Sequence, residues 1–378
     1  MLLRYGAKNF FCFKDWIEID LSFSSQPARE ANNGDLCAKS ICLKGANSSG
    51  KTNALKALSF ISRFCTDSFK NKPDTDFELD TFFNNDNDSE FFIDFKISNI
   101  EYSYEAILSK NKVQSEKLFR KDKRRTLVLS RTNNQIDKNT FFDSKRQLIL
   151  RNNASIISTA KQYEIHEFNI LYDFFFGIIV NVGYHGLEHE RLDVSILTGF
   201  YKKNKKLLDF VKSKIKQFDA GIEDIEIGSY FNEKKEEILF PIFSHLSDNT
   251  TSKLMYESQS SGTKTLYSYL GVYYLALADG GVLALDEFDI NLHPDILPHL
   301  VHWFEDKEIN KNGAQLIFTT HNIEIMDSMG KYRTYLFNKE KGNSYCYRLD
   351  ELSSNALRND RPISPLYKMG KLGGVPLL

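Results

Sequence analysis

The segment Gly45-Ala46-Asn47-Ser48-Ser49-Gly50-Lys51-Thr52 fits the spacing G-x-x-x-x-G-K-[ST]. Few sequence features constrain a fold more, because such a loop works only between a buried strand and a helix. Both flanks are present. Ser40-Ile41-Cys42-Leu43 reads as a buried strand, and from Lys51 to about Phe64 the apolar Leu55, Ala57, Leu58, Ile61 and Phe64 recur at helical spacing. Glycines let backbone N–H groups curl around phosphate oxygens at a helix N-terminus. Lys51 is then placed for the β and γ oxygens, and the Thr52 hydroxyl for Mg²⁺. Gly45, Asn47, Ser48, Ser49, Gly50, Lys51 and Thr52 are therefore the candidate nucleotide contacts.

Three further segments carry chemistry. Gly281 to Leu285 is an apolar strand that ends in Asp286-Glu287. That arrangement puts one carboxylate near Mg²⁺ and the next beside the water in line with a γ-phosphate, so Asp286 is assigned to the metal and Glu287 to the general base. Gln315 to Thr319 is another buried-type strand, and it delivers His321 at its carboxyl end. Ligands lie at the carboxyl ends of the strands in an open α/β sheet, so Lys51, Asp286 and His321 can converge on one nucleotide, with Glu287, His321 and Lys51 as its catalytic set. Gln259-Ser260-Ser261-Gly262-Thr263-Lys264 precedes an apolar helical stretch, Leu266 to Leu277, and by itself reads as an N-capped helix start.

The order of these parts resembles that of the ATP-binding-cassette (ABC) class. The chain resembles the stand-alone ABC-type ATPases related to SMC, RecF and OLD proteins and common in two-gene phage-defence systems of the PARIS, Septu and abortive-infection types. The residues that carry the resemblance run from Asn9-Phe10 and Phe13-Lys14-Asp15 through Gly45–Thr52, Glu257–Lys264, Leu285–Asp289, Leu292-His293-Pro294 and Thr319–Asn322 to the tail Tyr367–Pro376. What the resemblance implies is an α/β fold: an ABC-type P-loop ATPase head with a mixed, largely parallel sheet, an antiparallel β insert and a helical lobe. It implies ATP and Mg²⁺ as cofactors. It also implies a homodimer or higher homo-oligomer with ATP at subunit interfaces, in which Ser260 and Gly262 of one copy close over the γ-phosphate held by Lys51 of another. Asn291 falls in the loop that crosses such a dimer. The chain after His321 is too short for the fused Toprim nuclease of OLD proteins, so a separate effector, a nuclease encoded nearby, is expected to act in trans, with a phage protein as trigger. A DNA-acting ATPase of the RecF or SMC kind is the alternative.

The remaining chain is read more coarsely. Residues 1–100 are expected to hold the N-terminal ATPase half, 101–250 the β insert and helical lobe, and 251–378 the C-terminal half. Residues 1–45 alternate like strands, as do 90–151, and roughly 155–220 reads as helical. No glutamine occurs between residues 75 and 100, so Asn84, Asn85 and Asn87 are the candidates for a Q-loop role. His185, Glu188, His189 and Glu190 read as a polar helix edge, and His293, His299 and His302 do not make a metal site.

Charge and composition narrow the partners. With 49 Lys and Arg against 50 Asp and Glu, the net charge of −1 leaves no global field to hold nucleic acid or an anionic membrane. Two local basic segments stand out, Lys117 to Arg131 and Lys202 to Lys206; nucleic acid or an acidic partner could use either, and a solvated hairpin tip is the plainer reading. Five scattered cysteines without a C-x-x-C pair suit reduced thiols. The opening residues lack a signal peptide's apolar core, and no apolar run reaches the ~20 residues of a membrane helix. The expectation is a cytoplasmic protein that does not engage membranes.

Overall fold

A computed structural model describes residues 1–23, 25–32, 34–73, 75–187, 193–247, 250–352, 357 and 362–375. At its centre lies a six-stranded sheet in the order Asn343–Arg348, Thr334–Glu340, Ser40–Gly45, Gln315–Thr319, Val282–Leu285, Ile178–Val180. Every neighbouring pair is parallel except the first. The short apolar runs make sense in this setting, because parallel strands are covered on both faces and need no polar side. Alternate residues feed two cores. Ile41, Leu43, Val282, Ala284 and Ile317 point into one, while Cys42, Leu283, Leu285, Leu316 and Phe318 point into the other.

The first core is closed by the helix Lys51–Asp67 and by a seven-stranded antiparallel sheet. That sheet takes strands Leu2–Lys8 and Ile17–Asp20 from the start of the chain and the five strands between Ser89 and Asn139. Its inner face alternates as the sequence does, with Phe91, Ile93, Phe95, Tyr102 and Tyr104 buried. Gln315 stitches the two sheets together: its side chain accepts from Leu2 N at 2.7 Å and donates to Leu2 O at 2.9 Å, imitating a strand partner. Tyr335 does the same for Asp20, accepting from its N–H at 2.8 Å and donating to its carbonyl at 3.1 Å.

The second core lies under the helices Lys205–Phe218, Ser261–Asp279 and Ile296–Glu305. A three-stranded sheet, Ile222–Phe231, Glu237–Ser247 and Thr250–Met255, leads into the Ser261–Asp279 helix. Gly271 sits where a Cβ would stand 2.6 Å from the Tyr201 ring, so that ring can lie flush on the helix and donate to Tyr267 O at 2.7 Å.

The fold class is the one expected: an ABC-type P-loop head with a mixed sheet, antiparallel β structure and a helical lobe. Local differences have local causes. The 155–220 region is not helical throughout, since Gly177 ends a helix and Ile178–Val180 joins the edge of the central sheet. His185 lies on the turn of a hairpin closed by Gly186 at φ +114°, not on a helix, and Glu188, His189 and Glu190 lie outside the described residues. The Lys117–Arg131 segment is a hairpin as expected, and four of its seven cations are paired, while Lys117, Lys123 and Arg124 have no ion pair among the described residues. Lys121 pairs with Glu101 at 2.6 Å, Arg125 with Glu105 at 2.5 Å, and Arg120 with Asp122 at 3.2 Å. Phe175 is core, Phe174 stacks on Phe95 at 4.0 Å, and Phe176 is exposed. Among the described residues no helix is long and apolar enough to cross a membrane, and no three His, Cys, Asp or Glu side chains gather as a metal site.

Arg131 departs most from a solvated reading, because it is fully buried against Glu116 with a 2.9 Å Nε to Oε2 contact. The Glu116 carboxylate also accepts from the Tyr104 hydroxyl and from Ile156 N at 3.0 Å, which pins the sheet to the start of the helix Ile156–Gln162. Removing one partner of such a pair strands a buried charge. Glu116→Ala is therefore expected to lower unfolding stability by about 3–5 kcal/mol in a denaturant titration, whereas Glu101→Ala at the exposed Lys121 pair is expected to change it by less than about 1 kcal/mol.

Candidate functional site

The carboxyl ends of the parallel strands face one way, and four of them deliver the site: the predicted Gly45 loop, Asp286 with Glu287, and His321 after Thr320, together with Asn181, which the sequence did not single out. The loop shows why the spacing matters. A Cβ on Gly45 would stand 2.6 Å from Phe337 O and 2.7 Å from Ser49 Oγ, so only glycine lets the loop leave the sheet there. Gly50 adopts φ +109°, and Ser48 is left-handed at +60°. Gly50 is also the N-cap of the helix Lys51–Asp67 and provides no side chain to cap it, and the first turn holds no acid. The helix start therefore presents unfilled N–H donors and its dipole to the loop, which is the physical requirement for an anion site.

Lys51 is folded back on this loop, donating to the carbonyls of Gly45 and Ala46 at 2.9 Å each. Burial lowers the Lys51 ammonium below its usual pKa, against the pull of Asp286 and Glu287. The Ser49 hydroxyl is buried without a hydrogen-bond partner among the described residues, while Asn47 and Ser48 are exposed.

Asp286 ties the site together. It is buried, and its carboxylate accepts from the Thr52 hydroxyl at 2.7 Å and the Thr319 hydroxyl at 2.6 Å. Its backbone is held by Asn181, which accepts from Asp286 N at 2.7 Å and donates to Asp286 O at 3.1 Å. Thr319 also accepts from Glu287 N at 2.8 Å. Glu287 is forced into a left-handed φ of +50°, an uncommon place for a non-glycine residue and one where functional sites concentrate strain. Its half-buried carboxylate has no hydrogen-bond partner among the described residues. The pair Thr52 and Asp286 supplies two hard oxygen donors side by side, which fits Mg²⁺ with water and phosphate completing its shell.

His321 is exposed, and Asp289 accepts from its backbone N at 3.0 Å and from Asn322 N at 3.1 Å. On the other side of the same turn Lys44 donates to Thr320 O at 2.9 Å. Lys44 is 3% exposed, and burial pulls its pKa down to about 8. Sequence reasoning missed Asn181, Thr319, Lys44 and the anchoring role of Asp289, since each acts through a contact between distant segments; Lys44 stood beside Gly45, and Thr319 and Asp289 lay within segments already singled out, while Asn181 carried no signal.

Ser260 and Gly262 make their contacts outside the phosphate loop. The Ser260 hydroxyl caps its own helix, accepting from Thr263 N at 3.1 Å, and Thr263 in turn donates to Asp219 at 2.7 Å. A Cβ on Gly262 would stand 3.0 Å from Asn291 O, so the Ser260 segment and the Asn291 loop adjoin within one chain. Asn291 is exposed and left-handed at φ +60°. Among the described residues no hydrogen bond joins Ser260 or Gly262 to residues 45–52. A cavity of about 110 Å³ opens between Glu287 and the helix carrying Tyr269 and Tyr273. The Asn84–Asn87 segment gives little to the site: Asn85 is engaged with Asn9, donating to its Oδ1 at 2.7 Å.

Residues 40–327 match the family model described as "AAA domain, putative AbiEii toxin, Type IV TA system". No curated protein matches. Solved structures similar to the chain include the SMC head domain from Thermotoga maritima, at 13% identity and TM-score 0.46 over 92% of this chain and 98% of that one. An SmcHead bound to the C-winged helix domain of ScpA is similar at 14% and 0.48, over 93% and 99%. The recombination mediator protein RecF with ATP, of the RecFOR pathway, is similar at 13% and 0.31, over 85% and 92%. These likenesses are loose, and the strand order and loop placements above carry the reading of the fold.

The close approach at Gly45 gives a direct test. Gly45→Ala is expected to cost about 1–3 kcal/mol through overpacking and to weaken nucleotide binding at least about tenfold by displacing the loop, read by thermal melts and by fluorescent-nucleotide titration.

Proposed function

The chain belongs to this AAA-domain family of type IV toxin–antitoxin (TA) systems, and we propose that it is an ATP-binding and ATP-hydrolysing switch that works as a head-to-tail dimer or larger homo-oligomer. One observation carries the reading: an open helix start, a lysine, a hydroxyl–carboxylate pair and a glutamate with no hydrogen-bond partner among the described residues meet at one end of a parallel sheet. On binding, Lys51 exchanges the Gly45 and Ala46 carbonyls for β and γ phosphate oxygens, which trades neutral acceptors for charged ones. Gly45, Asn47, Ser48, Ser49 and Gly50 line the phosphates. Thr52 and Asp286 would hold Mg²⁺, which neutralises charge on the β and γ phosphates when bound.

Glu287 takes a proton from water as the new bond to the γ-phosphorus forms and the bond to the β–γ bridging oxygen breaks. His321 and Lys51 face the charge that spreads over the γ oxygens. Ser260 and Gly262 face a second copy, whose γ-phosphate they cover, and Asn291 sits in the adjoining loop. Within one copy Ser260 makes its contact to Thr263 and Gly262 lies beside the Asn291 loop, which supports this division of labour between copies.

Nucleotide state then sets the assembly that restrains or releases a separate toxic effector, a nuclease, with a phage protein as trigger. The toxin–antitoxin description of the family supports a two-component arrangement. The DNA-clamping reading draws less support, because four of the seven Lys117–Arg131 cations, Arg120, Lys121, Arg125 and Arg131, already stand against acids.

Glu287→Gln is expected to slow ATP turnover by about 10²–10⁴-fold while ATP shifts the chain to a dimer in light scattering, and Lys51→Ala is expected to lose ATP binding. Wild-type turnover in Glu287→Gln would rule Glu287 out as the base. Co-purification with the products of adjacent genes tests the effector: a chain that retains no second protein, with or without ATP, contradicts that part.

A further inference from the structure

We propose that Lys44 and Asp289 are a pair of positioning residues that clamp the peptide groups around His321 from opposite sides and so set where its imidazole stands during ATP hydrolysis. The inference rests on the catalytic role proposed for His321 and extends it to two residues outside the phosphate-binding and acidic pairs.

The turn Thr320–Asn322 leaves the central sheet at the end of Gln315–Thr319. Its polar backbone groups are met by full charges of matching sign. The Lys44 ammonium donates to the carbonyl of Thr320 at 2.9 Å, and the Asp289 carboxylate accepts from the N–H groups of His321 at 3.0 and 3.3 Å and of Asn322 at 3.1 Å. Charge-assisted bonds of this kind are about twice as strong as neutral ones.

The His321 side chain has no hydrogen-bond partner among the described residues and is exposed, so the backbone is its one hydrogen-bonded anchor. Whatever fixes the peptide plane fixes the Cα–Cβ bond from which the ring is presented, and so the set of positions its rotamers can reach. The clamp also reaches the right places: Lys44 directly precedes Gly45 of the phosphate loop, and Asp289 lies two residues beyond Glu287. A displacement of the phosphate loop or of the acidic loop is thereby passed to His321.

A purely space-filling role for Lys44 fits poorly. At 3% exposure an ammonium is costly to bury, and an apolar side chain of the same length would fill the volume without that cost. The charge answers to the Thr320 carbonyl it bonds, with the Tyr367 ring centroid 5.9 Å away and Asp289 as a nearby opposite charge.

The test compares Lys44→Met, Lys44→Arg and Asp289→Asn with the wild-type chain and with Glu287→Gln and His321→Ala. Turnover, ATP affinity and amide hydrogen exchange of His321 and Asn322 are the three readouts. In Lys44→Met and Asp289→Asn, kcat is expected to fall about 10–100-fold, as for small misplacements of a reacting group, with ATP affinity held within about threefold and amide protection at residues 321–322 reduced. Lys44→Arg, which keeps the charge, is expected to recover a good part of the loss. If Lys44→Met does not fold, Lys44→Arg and Asp289→Asn carry the comparison.

Wild-type turnover in the clamp variants beside an inactive Glu287→Gln would overturn the clamp alone. So would a parallel loss of affinity and turnover, or Lys44→Arg behaving no better than Lys44→Met. Wild-type turnover in both Glu287→Gln and His321→Ala would overturn the proposed active site and the clamp with it.

Discussion

The Asp286 carboxylate holds the molecule's working end in register. Its two oxygens take the hydroxyls of Thr52 and Thr319, so one buried group joins the first turn of the phosphate-loop helix to two neighbouring strands of the sheet. A carboxylate with several donors is content in a buried place where a bare one is not. The price is that the same oxygens are those a divalent cation would want, so the contact that orders the site is also the one that binding must reorganise. Asn181 limits the damage by holding the Asp286 backbone through both its N–H and its carbonyl, leaving the side chain free to exchange partners without moving the strand.

Around that point the fold is assembled from segments far apart in sequence. Gln315 and Tyr335 each make a two-sided hydrogen bond to a strand near the start of the chain. Neither bond can form until both ends of the head have come together, and contacts of such long range are slow to form. The buried Glu116 and Arg131 pair plays the equivalent part for the antiparallel sheet, joining two adjacent strands to the start of a helix.

The parts of this architecture that are legible in the sequence are those whose chemistry is local. A strand, a glycine-bounded loop and a helix sit within about thirty residues of one another, and their spacing alone places Lys51 and Thr52. The apolar runs ending in Asp286 and in Thr319 read as buried strands because no polar face interrupts them. What stays hidden depends on pairing across distance. Ile178–Val180 is too short to announce itself as a strand, and it becomes one only because Val282–Leu285 offers it an open edge. Arg131 reads like its exposed neighbours until Glu116 is found opposite it. Asp289 and Lys44 look like one more acid and one more base; only the fold brings them to the two sides of a single turn.

The outer face of the seven-stranded sheet carries a groove of about 730 Å³ bordered by Trp16, Phe92 and Phe119. Its cations stand beside acids on neighbouring strands: Arg4 between Glu18 and Asp94, Lys8 at Glu90, Lys121 at Glu101 and Arg125 at Glu105. Opposite charges this close act as short dipoles, whose field dies away well within the ~8–10 Å over which salt screens a single charge. Five acids against four cations leave a net charge of −1 among these side chains, so a body approaching this face feels only a weak field before it touches. Its arrival is governed mainly by diffusion and orientation, near the rate of about 10⁵–10⁶ M⁻¹s⁻¹ typical of unsteered encounters, and depends only weakly on ionic strength. The groove selects chiefly by the fit of surfaces already in contact, with little means of calling a partner from afar.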